Sequence, residues 1–199
     1  MIFGIMKMKV IDNFLENEDY IRLLYEIDDP RMPWLQSTIL SSRAISDHLH
    51  KHQKLILESK YNIQFCHVFH GEEEFLQPLL KKLGVVNLHR CKVNLTVANN
   101  SHIGHGFHVD ISGGIQNTRD AFNCTTAIFY INDNDGYTEF DTGEKIESVQ
   151  NRVVVFKNGL LHQGVSCTDV SKRIVLNINY ETSEQVQENM IDKLKKYNK

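Results

Sequence analysis

A chain of 199 residues is long enough to bury one substantial core and too short for two independent ones, so a single domain is expected. Its 22 basic and 25 acidic residues, with a formal charge of −3, make no global electrostatic case for nucleic acid or an anionic membrane as obligatory partner. The apolar run Met1 to Met6 is too short for a secretory segment, and no stretch reaches the roughly 18 apolar residues of a membrane span. Cys66, Cys91, Cys124 and Cys167 lie far apart without a CxxC pair, which reads as reduced thiols and a cytoplasmic setting.

Lys9 to Asp12 reads as a short extended lead-in. Asn17 then caps a helix whose Tyr20, Leu23, Leu24 and Ile27 recur at helical spacing and which ends near Asp28-Asp29-Pro30. Further helices are expected over roughly Ser41 to Lys60 and over Glu72 to Leu83, the latter stopped by Gly84. From Val85 the period changes to two, in Cys91 to Val97, Thr125 to Ile131, Arg152 to Phe156 and Arg173 to Tyr180. Turn-formers separate these strands: Ser112-Gly113-Gly114, Asn132 to Gly136 and Lys157-Asn158-Gly159. A last helix begins at Thr182, with Thr182 and Gln185 as a capping box and Val186, Met190 and Leu194 on one apolar face. The expected architecture is an antiparallel double sheet, a cupin-like jelly roll over 85–181, with supporting helices in 1–84 packed on one sheet and a terminal helix over 182–199.

Within Gly106-Phe107-His108-Val109-Asp110, residues i and i+2 of a strand point the same way, so His108 and Asp110 can offer an imidazole and a carboxylate to one point. The distant His162, beyond the strand ending at Phe156, is placed where a jelly roll folds it back as a third ligand. Two imidazoles and one carboxylate on one face of an octahedron leave positions open, the arrangement of non-haem Fe(II) oxygenases; structural zinc prefers a closed site richer in sulfur. An HxD pair alone is weak, since a surface pair is the commoner explanation. Arg173, eleven residues after His162 on the apolar strand Ile174-Val175-Leu176, strengthens it, because a buried guanidinium requires an anion. That anion is either the distal carboxylate of 2-oxoglutarate, gripped bidentately, or a protein carboxylate such as Glu181 or Asp169.

Over Cys91 to Glu181 the sequence resembles the prolyl 4-hydroxylase-like 2-oxoglutarate/Fe(II) oxygenases. The resemblance runs through His108-Val109-Asp110, then Thr126 to Asn132, similar to the family's strand ending Tyr-Leu-Asn, then Gly136-Tyr137-Thr138-Glu139-Phe140, similar to its Gly-Gly-Glu-Thr-x-Phe turn and strand. Asn151 to Phe156, His162-Gln163-Gly164-Val165 and Arg173 complete it. It implies His108, Asp110 and His162 as iron ligands, Arg173 and Tyr130 on the cosubstrate's distal carboxylate, and Asn94 as a candidate for the proximal one. Many relatives carry a Tyr on the strand where this chain offers Lys92, Asn94 and Thr96, and Tyr137 replaces the second Gly of the turn. The implied activity consumes 2-oxoglutarate and O2, with ascorbate a candidate reductant, releases succinate and CO2, and hydroxylates a peptidyl (prolyl-type) or small-molecule substrate. Asp110 argues against halogenation, which omits the carboxylate.

Other clusters have plainer readings. His102 and His105 belong to an expected solvated loop that reaches substrate at most. His48 and His52, with Asp47 and His50 nearby, suit an exposed helix face, Trp34 a core position, Arg43 the surface, and Glu72 to Glu74 a helix start. The terminal lysines suit a helix end, so neither membrane nor nucleic-acid binding is expected there. Substrate choice is expected to lie in Asn99 to Gly106 and Ser112 to Ala121. The alternative to an enzyme is a non-catalytic cupin-like metal-binding protein, which has no need of Arg173 or Tyr130; hydrolase or isomerase use of the metal is a third reading.

Overall fold

The computed structural model describes residues 8–39, 59–111 and 123–197. Its elements, in chain order, are β1 (Lys9–Ile11), α1 (Asn17–Ile27), β2 (Leu35–Ser37), β3 (Gln64–Phe69), a 3-10 turn (Glu74–Leu76) running into α2 (Gln77–Leu83), β4 (Asn87–Val97), β5 (Thr125–Tyr130), β6 (Asn134–Phe140), β7 (Lys145–Ser148), β8 (Val153–Lys157), β9 (His162–Val165), β10 (Lys172–Glu181) and α3 (Ser183–Tyr197). The strands form two sheets, one ordered β1-β8-β5-β10-β4-β3-β2 and a smaller one ordered β7-β6-β9, with antiparallel pairing throughout. This is the double sheet of a jelly roll, without closure into a barrel.

Alternation along the strands decides what each face of the large sheet does. One face carries Cys91 and Val93 of β4, Ala127 and Phe129 of β5, Val153 of β8, and Ile174, Leu176 and Ile178 of β10, all buried against Tyr20, Leu23 and Ile27 of α1 and Leu79 and Leu80 of α2. Each such side chain removed from water contributes about 1.5–3 kcal/mol, which makes this layer the main hydrophobic core. The other face buries Ile128, Tyr130, Val154, Phe156 and Val175 with Phe140 of the small sheet. The Tyr20 hydroxyl donates to the Ile131 carbonyl at 2.7 Å, tying α1 to the end of β5.

Several expectations need correction. Among the described residues of the first 84, the strands β1, β2 and β3 accompany the helices and belong to the large sheet; Gln64 to Phe69 is short and the polar Gln64 lies on its buried face, which hides its period. Glu16, not Asn17, is the N-cap of α1, and it makes no side-chain cap bond. The helix expected over Ser41 to Lys60 lies outside the described residues, apart from Ser59 and Lys60, which form a turn. In α3 the Gln185 carboxamide accepts from the Thr182 N–H at 3.0 Å, half of the expected box. The proposed apolar face fails at Met190, which is 59% exposed, while Asn189 is buried with its amide donating to the Glu181 carboxylate. Trp34 packs against the main core. No helix of the described residues is long and apolar enough to cross a membrane.

Asn151 pins the amino-terminal segment to the sheet. It holds a positive φ of 58°; its Oδ1 accepts from the Leu15 N–H at 2.8 Å, its Nδ2 donates to the Leu15 carbonyl at 2.9 Å, and its own carbonyl accepts from the Phe14 N–H. N151A keeps a Cβ in left-handed backbone but removes the amide whose bonds offset that conformation and satisfy the buried Leu15 N–H and carbonyl, so chemical denaturation should show a loss of about 3 kcal/mol. N151G keeps the backbone geometry and should lose less.

Candidate metal and cosubstrate site

The inner face of the large sheet opens into a cavity of about 300 Å³. Its floor is the run of alternate β4 residues Arg90, Lys92, Asn94 and Thr96 beside Arg173, Val175 and Asn177 of β10, which pair in register as Thr96 with Arg173, Asn94 with Val175 and Lys92 with Asn177. His108, Asp110 and His162 stand over one part of it, their ligand atoms all within 4.8 Å of one another. His162 comes from β9. His108 and Asp110 are not on a regular strand as expected: the segment joins β9 through two isolated bridges, Gly104 with Val165 and His108 with His162. The latter bridge preserves the i, i+2 geometry, with each backbone N–H donating to the other residue's carbonyl at 2.9 and 3.0 Å.

Both imidazoles are oriented for ligation. His108 Nδ1 lies 2.9 Å from the Gly106 carbonyl and His162 Nδ1 3.0 Å from the Leu160 carbonyl. A carbonyl only accepts, so each Nδ1 carries the proton and each Nε2 presents its lone pair. Those Nε2 atoms lie 4.0 and 3.9 Å from the same Asp110 oxygen. Burial and the neighbouring His162 push His108 down to about 4, which keeps it neutral. Burial alone would raise the Asp110 carboxyl, but Arg90, the two imidazoles and Asn179 outweigh it and hold Asp110 well below the usual carboxylate range. Arg90 pairs with it at 2.9 Å, and the amides of Asn179 and Asn177 donate to it at 3.1 and 3.4 Å.

Arg173 is 5% exposed and reaches from the large sheet to the small one. Its Nε donates to Ser148 Oγ at 2.8 Å and its Nη2 to Thr138 Oγ1 at 3.1 Å. Among the described residues no carboxylate pairs with it. The two protein partners anticipated for it are engaged elsewhere: Glu181 accepts from Asn87 and Asn189, and Asp169 from the Asp135 N–H. Gly136 is obligatory beside it, because a Cβ there would lie 2.8 Å from both Arg173 Cδ and the Val165 carbonyl oxygen. Tyr130 is fully buried behind this group: its hydroxyl donates to Thr138 Oγ1 at 2.9 Å, and its ring centroid lies 5.7 Å from the guanidinium. Thr138 thus links Tyr130 to Arg173 and lines the cavity.

Four buried side-chain atoms among the described residues have no hydrogen-bond partner: Asn94 Oδ1, Thr96 Oγ1, Asn177 Oδ1 and His162 Nε2. All four residues line this one cavity. Orphaned polar atoms elsewhere in a core would each cost about 1–3 kcal/mol; gathered around one space, they mark where a polar ligand and a cation fit.

His105, assigned to a solvated loop on sequence grounds, is instead 3% exposed and lines the cavity, because its N–H donates to the Gly164 carbonyl and draws the loop onto β9. His102 remains at the surface, paired with Asp135 at 3.2 Å. The cluster Asp47, His48, His50 and His52, Arg43, and the stretch Ser112 to Ala121 lie outside the described residues. Sequence reasoning missed Arg90, Asn177, Asn179, Thr138 and Ser148; the alternation of β4 and β10 was the available signal for the first three, whereas the last two depend on how the second sheet is laid over the first.

No protein-family model and no curated protein matches the sequence. Solved structures do match in fold. A prolyl hydroxylase from Trichoplax adhaerens, solved with a hypoxia inducible factor oxygen degradation domain peptide fragment, superposes with a TM-score of 0.61 at 13% identity over 89% of this chain and 84% of its own. A Pseudomonas putida prolyl-4-hydroxylase gives 0.59 at 14% identity, covering 89% and 93%. The epimerase SnoN, in complex with Fe3+, alpha ketoglutarate and nogalamycin RO, gives 0.58 at 10% identity, covering 89% and 80%. At such identities the likeness is one of fold, and the chain shares the jelly roll of the prolyl hydroxylases and other 2-oxoglutarate/Fe(II) oxygenases.

Proposed function

We propose that residues 1–199 form one Fe(II)- and 2-oxoglutarate-dependent oxygenase domain that hydroxylates a peptidyl or small-molecule substrate. The observation that carries the reading is a buried guanidinium without a carboxylate partner among the described residues, at one end of a cavity whose other polar groups surround a His-Asp-His cluster. A bare metal-binding scaffold has no use for that cation, whose burial without an anion costs several kcal/mol.

In this reading His108, Asp110 and His162 hold Fe(II), Arg173 grips the distal carboxylate of 2-oxoglutarate, and Asn94 meets its other end. Tyr130 acts through Thr138 by fixing the acceptor that positions Arg173. With Fe(II) and 2-oxoglutarate bound, such a centre would supply oxidative decarboxylation by O2, one oxygen atom going to succinate as CO2 leaves and the other to a substrate C–H bond, which becomes C–OH. This chain's own part is orientation and exclusion of water. Arg90, Asn177 and Asn179 keep the Asp110 carboxylate ionised and aimed at the two Nε2 atoms. The carbonyls of Gly106 and Leu160 fix the imidazole tautomers, and the Ile128 and Val175 side chains keep part of the wall apolar.

Under anaerobic conditions, Fe(II) with 2-oxoglutarate should give the weak visible charge-transfer absorption of a chelated 2-oxo acid, and D110A should abolish both the band and succinate release. Full turnover in D110A would remove Asp110 from the ligand set. R173A should raise the 2-oxoglutarate requirement by the loss of a charge-assisted pair, about 1.5–3 kcal/mol or roughly ten- to a hundredfold; an unchanged requirement would assign Arg173 to structure alone.

Neutral imidazoles also set a pH dependence. Burial pushes His105, like His108, down from 6.5 to about 4. The unfolded chain therefore takes up protons first, so stability is fully present above pH 6.5 and declines as the pH falls toward 4. Metal-free protein melted across that range should lose on the order of 2–3 kcal/mol per histidine, and H105N should flatten the profile by about one histidine's share.

A further inference from the structure

The cavity carries more positive charge than a metal and a dianionic cosubstrate account for. Among the described residues that line it, Arg90, Lys92 and Arg173 are cationic and Asp110 is the one carboxylate, a surplus of two. A divalent cation and a dianion bound together would cancel each other and leave that surplus in place. Arg90 is committed to Asp110 at 2.9 Å and to Asn179 at 2.9 Å. Lys92 is different: it is partly buried on the cavity floor, and among the described residues no carboxylate lies within ion-pair distance of it. Burial pushes its ammonium below the usual lysine range, so it gains from an anion that enters the cavity.

Position separates Lys92 from the cosubstrate's end. Its partner in the β4–β10 register is Asn177, which donates to Asp110, whereas Arg173 pairs with Thr96. From Arg173 to Asn177 is four residues of strand, about 13 Å, while the terminal carbons of a five-carbon diacid are only about 5 Å apart. A diacid held at Arg173 and chelating at the triad would therefore stop at the level of Asp110, and Lys92, opposite Asn177, lies on the part of the cavity floor that such a diacid leaves open.

We infer that the oxidised substrate carries an anionic group, a carboxylate or a phosphate, which Lys92 binds next to the metal with Arg90 adding to the field. The inference rests on the oxygenase reading for the word substrate, but the anion site itself stands on the charge and register of the cavity. It makes Lys92 a specificity-determining residue and excludes uncharged or cationic reacting groups from the preferred substrates.

The test uses full-length protein loaded with Zn(II) and saturated with 2-oxoglutarate in buffer of low ionic strength, titrated with inorganic phosphate and, separately, with acetate. Binding is read from line broadening of the anion's own phosphorus or carbon resonance. Wild type should bind one of them in the millimolar range, K92Q at least tenfold more weakly, and K92R nearly as well as wild type, which controls for folding. Tighter phosphate assigns a phosphoryl group and tighter acetate a carboxylate. Absence of binding of both anions to wild type, or equal binding by K92Q, would overturn the inference. The anaerobic Fe(II) absorption tests the cosubstrate reading separately; where it is absent, the same titration is read in R173A, in which loss of anion binding on adding K92Q still reports Lys92 and its persistence overturns the inference.

Discussion

The antiparallel pairing of β4 with β10 is the constraint on which everything else hangs. It runs from Asn87 opposite Glu181 to Val97 opposite Lys172, with one irregularity between Asn179 and Tyr180. Because side chains alternate, this pairing sends Cys91, Val93, Ile174, Leu176 and Ile178 into the helix-backed core and turns Arg90, Lys92, Asn94, Thr96, Arg173, Val175 and Asn177 to the other side. A slip of one residue would exchange the two sets, burying cations among leucines and emptying the cavity of its polar groups. Core and site are thus specified by the same hydrogen bonds.

The second sheet turns that polar face into a site. Phe140 packs on Phe156 with ring centroids 5.0 Å apart, and His162 lies 5.0 Å from the same ring, so the apolar contact that joins the sheets also fixes a ring of the triad. Thr138 and Ser148 meet Arg173 from across the gap. The guanidinium consequently bridges the sheets through neutral hydroxyls, which orient it without neutralising it. A protein carboxylate in either place would have satisfied the charge and left no reason for an anionic ligand.

Electrostatics divides the cavity into two regions. Around the triad, Arg90 holds the Asp110 carboxylate ionised and burial keeps the His108 imidazole neutral, a combination suited to a divalent cation because neither donor must first shed a proton at neutral pH. Away from it lie cations short of partners, suited to anions. The likeness to prolyl hydroxylases and to an epimerase is one of fold alone, since on a shared scaffold the chemistry resides in the lining and not in the sheets.

The sequence alone marked the two-period strands Cys91 to Val97, Thr125 to Ile131 and Arg173 to Tyr180, the first helix, and the shared side of His108 and Asp110 two residues apart, because each follows from spacing within a few residues. It also marked Arg173 as anomalous by setting a charge in an apolar run. Only the tertiary structure decided that His162 meets His108 across an isolated bridge, that Arg173 reaches Thr138 and Ser148 instead of Glu181 or Asp169, and that His105 is buried on β9. The strands β2, β3, β7 and β9 escaped notice for the same reason. They are short or polar, and their place is set by pairing with residues distant along the chain, a contribution that no local pattern records.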